Sequence, residues 1–455
     1  MLKIQAAPFA PGRARGVLRR GLGALAPDSV LVVEQGELGG LAERACRRPR
    51  GIAALVVIGA APLSHPMIRL LGLGVPVVIA GPAQARELPE GMEVVLDGAG
   101  GTISDPRGTP PAPPEPAPPA AGMAPRTVDG QVVELRASIA DAAGAEEARR
   151  LGATGIGLVR SEYLCPPDGR QPDADFFERA LAAVCGAVAP LPVTVRLPDV
   201  AADKRPPWCA SLKGMEGPLA LQGARLFGAE PVRSVWRAVV EAVMRLAPRY
   251  EMALLLPYVT RTDEYLRWRC EVEAVLPVPL AVGAMAESPA AVLAALDWLK
   301  VADFVAVGCN DLMQCLFAAD RDIPEVAYLL DPYAPVLFRF LRRLAESAGE
   351  EAGRLQLCGL LPQLPGVLSL LLGLGFRTFS VEPRLIPQLA GTVAATDTAA
   401  AQARAVGVCA LSTPQEVRAL LGVPEGAAWG LGAGRVSPAG ESMTAPTREA
   451  RWPCP

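Results

Sequence analysis

The chain has 455 residues, of which 51% are hydrophobic and 20% are charged, and its formal net charge is −3. This length and apolar content allow a sizeable core in two or three domains and exclude global disorder. The weak negative charge argues against a protein whose main partner is a nucleic-acid backbone, and no apolar run reaches the ~18 residues of a membrane span. Ten cysteines occur without a CxxC pair, which favours reduced thiols and a cytoplasmic location.

The first hundred residues predict a small α/β domain over residues 1–104. Short runs typical of β-strands lie at 29–34, 53–59, 75–80 and 93–98. Between the second and third runs, apolar residues at helical spacing predict a helix, with Ser64 as its cap and Pro66 in its first turn. This helix begins at His65, the one histidine in the chain. A single histidine excludes a zinc site rich in imidazole.

Two segments of biased composition lie outside the predicted domains. Residues 105–125 are dense in proline, which favours an extended, semi-rigid linker. Residues 422–455 have the composition of a disordered tail.

Residues 126–421 alternate between apolar β-type runs and helical patterns. Two clear helices are expected at 289–300 and 335–348, and a last one begins after Thr413, with Glu416 at its third position. The eight predicted strands lie at 132–139, 154–159, 192–196, 252–259, 279–285, 304–308, 355–359 and 378–382. Eight strand–helix units in this order predict a parallel (β/α)8 barrel, so the fold class is α/β.

Polar side chains stand at or just beyond the ends of most of these strands, where a barrel places its active site. They are three arginines, two carboxylates, an amide and a thiol: Arg160, Arg196, Arg321, Glu287, Asp311, Asn310 and Cys358. Two carboxylates beside an amide suit Mg²⁺, which takes further ligands from water and substrate. Arginines suit phosphate and carboxylate groups. The pattern therefore predicts a small anion, carrying phosphate and carboxylate, chelated to Mg²⁺.

The position of His65 allows two interpretations of its role. A lone histidine at a helix start is compatible with an ordinary surface residue. It is also well placed as a phosphate carrier, because helix N-terminal amides stabilise a bound anion. On a small domain joined by a linker to a phosphate-binding barrel, it suggests a shuttling arm.

Several segments resemble the phosphoenolpyruvate-utilising enzymes, most closely Enzyme I of the phosphoenolpyruvate–sugar phosphotransferase system. The resemblance covers roughly residues 5–422. In the N-terminal region, residues 7–16 are similar to the family's opening ASPGxAxG, and residues 62–81 are similar to its phosphohistidine motif. In the barrel, the family's motifs are matched by GIGLVRSEYL (155–164), VTVRLPDVAADK (193–204), GAMAESPAA (283–291), VGCNDLMQCLFAADR (307–321) and LCGLLP (357–362).

The resemblance implies a role for each candidate residue. Glu287 and Asp311 hold Mg²⁺, and Asn310 helps to seat the substrate. Cys358 delivers or removes the proton at the enol carbon, and His65 becomes phosphohistidine while pyruvate leaves. The phosphate is gripped by the three arginines Arg160, Arg196 and Arg321. The resemblance also implies a swivelling phosphohistidine-type N-terminal domain, a homodimer formed through the barrel and a phosphoacceptor protein of unknown identity.

The chain departs from the family pattern at several positions. Gln222 stands where an arginine normally contacts phosphate, Leu63 replaces a hydroxyl residue before His65, and Leu360 replaces a glutamate after Cys358. The helical insertion with which Enzyme I docks its carrier protein has no counterpart.

Three functions remain open at this stage. The first is a phosphotransferase acting through His65, in which Gln222 and the altered histidine motif impair turnover. The second is a catalytically degenerate regulatory protein that binds phosphoenolpyruvate or pyruvate without turnover. The third is a lyase or aldolase acting on pyruvate enolate.

Overall fold

A computed structural model of the protein describes residues 2–24, 26–38, 51–71, 73–108, 117–217, 219–275 and 279–423. Within these ranges, no helix is both long enough and apolar enough to cross a membrane.

Residues 3–104 contribute an eight-stranded mixed sheet. The strands follow one another across it in the order β1-β8-β7-β3-β4-β5-β6-β2. Their bounds are β1 Lys3–Gln5, β2 Ala7–Ala10, β3 Arg13–Arg20, β4 Ser29–Glu34, β5 Ile52–Ile58, β6 Val77–Ala80, β7 Glu93–Asp97 and β8 Thr102–Ser104. Among the described residues of this unit, two helices accompany the sheet, α1 His65–Leu71 and α2 Pro82–Arg86. The four predicted strands are present, and the sheet adds β1, β2, β3 and β8, whose short or arginine-interrupted sequences carry little apolar pattern.

The proline-rich segment is only partly described. Residues 106–108 form a 3₁₀ turn after β8, and residues 109–116 lie outside the described residues. From residue 117 the chain runs against the next unit, because Gly122 N donates to Ala153 O at 3.0 Å and Val133 N donates to Pro125 O at 3.0 Å. The predicted tail lies outside the described residues from residue 424 onward. The domain boundaries stay a prediction.

The second unit is a closed barrel of eight parallel strands, which confirms the predicted (β/α)8 class. Each predicted strand is present, and the pairing runs from β9 to β16 and back to β9. The bounds are β9 Glu134–Ile139, β10 Ile156–Arg160, β11 Val193–Arg196, β12 Met252–Val259, β13 Ala281–Ala286, β14 Val305–Gly308, β15 Leu355–Cys358 and β16 Thr378–Val381.

Helices surround this barrel. They are α3 Ala142–Arg150, α4 Ala174–Val188, α5 Val232–Leu246, α6 Thr262–Glu273, α7 Pro289–Leu293, α8 Ala295–Leu299, α9 Cys309–Phe317, α10 Pro324–Ala327, α11 Pro335–Ala348, α12 Val367–Gly373, α13 Ile386–Ala394, α14 Thr398–Ala410 and α15 Pro414–Leu421. The α15 start is as predicted, because Thr413 Oγ1 accepts from Glu416 N and the Glu416 side chain accepts from Thr413 N. Buried apolar residues of these helices pack with those of the barrel strands in one hydrophobic core.

The single helix predicted at 289–300 is wrong, because the segment forms the two short helices α7 and α8. The break falls at Ala294, whose ψ of 5° is outside the helical range. Both pieces bury part of their apolar surface, with Val292 1% and Trp298 0% exposed.

Candidate functional site

A cavity at the carboxyl ends of the barrel strands brings together all eight predicted site residues. It encloses about 500 Å³, including space open to solvent. Seven of the lining side chains come from the barrel and one from the N-terminal sheet unit: Arg160, Arg196, Glu287, Asn310, Asp311, Arg321, Cys358 and His65. Parallel strands all end at the same rim, which explains how residues 160 to 358 converge.

His65 enters this cavity from the first turn of α1. Its Nε2 lies 2.6 Å from Arg321 Nη2, and its Nδ1 lies 3.3 Å from Asp322 Oδ2. Its backbone N donates to Asp322 Oδ1 at 3.0 Å. The side chain is 13% exposed. The only histidine of the chain is therefore held inside the barrel mouth by two consecutive barrel residues.

The predicted role of Ser64 as the cap of α1 is wrong. The Ser64 hydroxyl is buried and has no hydrogen-bond partner among the described residues. Asp322 supplies the missing acceptor instead, since its carboxylate accepts from the first-turn N–H of His65. The first N–H group of α1 thus finds its acceptor in the barrel. A local sequence pattern does not reveal such a contact, because the acceptor is distant in the chain.

Other contacts hold the two units together around His65. The Arg69 guanidinium lies 4.9 Å from the centre of the Tyr163 ring, in a cation–π geometry. Arg384 Nη1 donates to Gly74 O, and its Nη2 lies 3.1 Å from Glu147 Oε1.

Glu287 and Asp311 both line this cavity with their carboxylates, and Arg321 Nη2 lies 3.0 Å from Asp311 Oδ1. Burial raises the pKa of Glu287 well above its usual value, and the charges of Asp311 and Asp199 raise it further. Its Oε2 accepts from the backbone N of Tyr258 at 3.1 Å. Tyr258 has a φ of 47°, in the left-handed region that aromatic residues rarely adopt, so the backbone is strained where it faces this carboxyl.

This pair fits a hard cation. No group of three His, Cys, Asp or Glu side chains among the described residues is placed to hold a metal ion. Two carboxylates suffice for Mg²⁺ where substrate oxygens and waters complete its shell. A cation beside Glu287 would also offset the negative charges of Asp311 and Asp199, which raise the pKa of Glu287.

Arg196 is buried in a network of charged side chains. Its Nη1 lies 2.9 Å from Asp199 Oδ2, and its Nη2 donates to Glu162 Oε1. Lys204 Nζ also donates to Asp199 and lines the cavity. Burial lowers the pKa of Arg196, but the carboxylates of Asp199, Glu162 and Glu287 outweigh this effect and raise it, so the guanidinium stays charged. Its buried Nε has no partner among the described residues.

Cys358 is buried at the end of β15. Burial raises the pKa of its thiol to about 11, while a hydrogen bond from Gln356 Nε2 to Sγ at 3.2 Å acts in the opposite direction. The thiol is therefore protonated at neutral pH and suits a proton donor. Asn310 lies nearby, and its Oδ1 accepts from Leu360 N at 3.0 Å.

Sequence reasoning missed several residues of the site. Lys204 and Tyr163 line the cavity, and Glu162, Asp199 and Asp322 orient residues that do. A signal for them was present in the sequence, because all of them except Lys204 lie within three residues of a predicted arginine.

Gln222, which stands where the family has a phosphate-contacting arginine, does not line the cavity. It is buried in the segment between β11 and α5. The nearby Arg225 is exposed and lies over the Tyr258 ring, with 4.9 Å between its Cζ and the ring centre.

The comparison with protein families identifies the class. Residues 121–398 match the family described as PEP-utilising enzyme, PEP-binding domain. The match covers more than half of the chain, which therefore belongs to the phosphoenolpyruvate-utilising enzymes. The resemblance inferred from the motifs is confirmed.

Individual relatives agree with this class. The phosphoenolpyruvate-protein phosphotransferase of Streptomyces coelicolor is 31% identical over 395 residues, which are 83% of this chain and 69% of that protein. That of Geobacillus stearothermophilus is 32% identical over 265 residues, 56% of this chain and 46% of that protein. The multiphosphoryl transfer protein of Xanthomonas campestris pv. campestris is 28% identical over 400 residues, 83% of this chain and 47% of that protein.

The chain spans about half the length of the latter two relatives. Among solved structures, a citrate lyase from Burkholderia xenovorans LB400 is similar, with a TM-score of 0.37 and 14% identity over 67% of this chain and 98% of that one.

Proposed function

We propose that the protein transfers the phosphoryl group of phosphoenolpyruvate to His65, releases pyruvate, and then passes the group to an acceptor. The observation that carries this proposal is the position of His65 Nε2, 2.6 Å from Arg321 Nη2 and in one cavity with Glu287, Asp311 and Cys358. A histidine that only stabilised the small unit would not need contacts with the catalytic end of the barrel.

Binding of the substrate rests on the arginines. Arg160 and Arg321 line the cavity and offer charged donors to the phosphate. Arg196 is held by Glu162 and Asp199, and its Nε remains as a donor directed by that network. Phosphoryl transfer depends mainly on positioning and charge stabilisation, which such fixed cations supply.

Glu287 and Asp311 are the residues that would hold Mg²⁺. When bound, the ion would neutralise charge on phosphate and enolate oxygens. Asn310 stands beside this pair at the start of α9 and would orient the substrate.

The remaining steps use the histidine and the thiol. His65 Nε2 forms the bond to phosphorus while the bond from phosphorus to the enol oxygen breaks. Cys358, protonated at neutral pH, would then give its proton to the terminal carbon of the enolate, producing pyruvate.

The acceptor of the phosphoryl group is unknown. The relatives named phosphotransferases support a phosphocarrier protein, and by the same resemblance we expect a cytoplasmic homodimer formed through the barrel. The loss of a phosphate-contacting arginine at Gln222 favours a second candidate, a binding protein that senses phosphoenolpyruvate without turnover.

The test is the intact-protein mass after incubation with phosphoenolpyruvate and Mg²⁺ under non-acidic conditions. The wild type should gain one phosphoryl group, and His65→Ala should gain none. Thermal stabilisation by phosphoenolpyruvate serves as the binding control in both proteins. Stabilisation without mass gain in the wild type would refute the transfer and support the sensor. Turnover that survives His65→Ala but not Glu287→Ala would instead support a lyase or aldolase.

A further inference from the structure

The imidazole of His65 lies between two side chains that are consecutive in the barrel. Arg321 faces Nε2 at 2.6 Å, and Asp322 faces Nδ1 at 3.3 Å. Asp322 also accepts the backbone N–H of His65, so both carboxylate oxygens contact the same residue. Its own backbone N donates to Asp320 Oδ1 at 2.9 Å, which orders the loop.

These contacts define where the proton of a neutral imidazole must be. A guanidinium only donates hydrogen bonds, so Nε2 facing Arg321 has to be the acceptor nitrogen. A carboxylate only accepts, so Nδ1 facing Asp322 has to carry the hydrogen. The two neighbours thus favour the same tautomer.

Resting on the proposed transfer to His65, we infer that Asp322 is a positioning residue that fixes the Nδ1–H tautomer and so directs phosphorylation to Nε2. The Nε2 lone pair forms the bond to phosphorus, and the electron pair of the breaking P–O bond leaves with the enol oxygen. The enolate takes its proton at the terminal carbon. The Nδ1 proton stays in place, and the positive charge that develops on the ring is stabilised by the Asp322 carboxylate.

The location of Asp322 adds a second consequence. His65 belongs to the N-terminal unit and Asp322 to the barrel, 257 positions apart. The nucleophilic tautomer is therefore selected by docking of the two units.

The first test needs no variant. Because His65 is the one histidine in the chain, nitrogen-15 labelling of histidine yields a single ring in the NMR spectrum. At pH 8, the nitrogen shifts should identify Nδ1 as protonated and Nε2 as unprotonated. An Nε2–H tautomer, or shifts averaged between the two forms, would overturn the inference.

The second test compares Asp322→Asn with Asp322→Ala. In Asp322→Asn the one amide oxygen is needed by the His65 backbone N–H, so the NH₂ group faces Nδ1 and donates to it. This favours the Nε2–H tautomer, which has no lone pair for phosphorus. We expect phosphorylation to slow by about 10²–10⁴-fold in Asp322→Asn and by only about 10–100-fold in Asp322→Ala.

The relative phosphorylation rates of the two variants distinguish a positioning role from a structural one. A structural role predicts that Asp322→Ala is the slower variant, whereas a positioning role predicts that the more conservative Asp322→Asn is slower. Glu325→Gln is the matched control, since Glu325 is an exposed carboxylate in α10, three residues after Asp322, and the rate of this variant should equal that of the wild type. Equal rates in the Asn and Ala variants, or a slower Ala variant, would overturn the inference while leaving transfer to His65 intact. A wild type that takes up no phosphoryl group would refute the proposed function itself and, with it, the directing role.

Discussion

Replacing Arg196 by methionine should reveal how much the buried charge network of the site contributes to stability. The guanidinium lies between Glu162, whose side chain is 0% exposed, and Asp199, which is 2% exposed. After Arg196→Met, Asp199 keeps Lys204, but Glu162 loses the donor to its Oε1. Its Oε2 already has no partner among the described residues. A buried carboxylate would then be left uncompensated.

The expected loss in the free energy of unfolding is about 3–5 kcal/mol, the usual cost of removing one partner from a buried ion pair. The matched control is Arg245→Met. Arg245 pairs with Asp175, Glu178 and Glu241 at 2.6–2.9 Å, but its side chain is 36% exposed. Exposed ion pairs contribute little, so this variant should lose less than about 1 kcal/mol despite its three partners.

Urea denaturation followed by tryptophan fluorescence measures both variants, because four of the six tryptophans lie between β11 and β14 of the barrel. At a slope of about 3 kcal/mol per molar urea, Arg196→Met should lower the midpoint by about 1–1.7 M. Adding Glu162→Gln should restore part of the loss, since an amide is less costly to bury than a carboxylate. Equal midpoint shifts for the Arg196 and Arg245 variants would refute the claim that burial determines the cost.

Three further outcomes follow from the site and its supports. Cys358→Ser should keep stabilisation by phosphoenolpyruvate and Mg²⁺ but slow exchange of the pyruvate methyl protons with deuterated water by about 10²–10⁴-fold, and unchanged exchange would exclude the thiol as the proton carrier. Arg384→Ala removes the hydrogen bond to Gly74 O, so phosphorylation of His65 should slow by about 3–10-fold at unchanged substrate binding, whereas weaker binding would contradict a docking role. Burial raises the pKa of Glu382 to about 7 from 4.5, so the folded state holds this proton more tightly than the unfolded state and stability falls as pH rises between these values. Glu382→Gln should reduce this loss of stability with rising pH and raise the urea midpoint at pH 8. An unchanged pH dependence of stability would refute the raised pKa of Glu382.

The barrel could be predicted in detail because its strands are buried on both faces and read as apolar runs of strand length. The strands β1, β2 and β8 have three or four residues each, too few for a periodic pattern to appear. The single helix expected at 289–300 failed for another reason. Its composition is helical throughout, and its sequence carries no signal for the bend at Ala294.

The features of the candidate site also divide into those that the sequence predicts and those that only the tertiary structure shows. The sequence by itself determined that the seven predicted barrel side chains share a cavity, because strand ends in a parallel barrel meet at one rim and the motif spacing places polar residues there. Only the tertiary structure decided that His65 lies between Arg321 and Asp322, that Asp322 replaces Ser64 as the cap of α1, and that Arg196 is held by buried carboxylates. These contacts depend on how one folded unit sits against another and on burial across the barrel. Local periodicity carries no information about either, because residues separated by some 250 positions meet only after both units have folded.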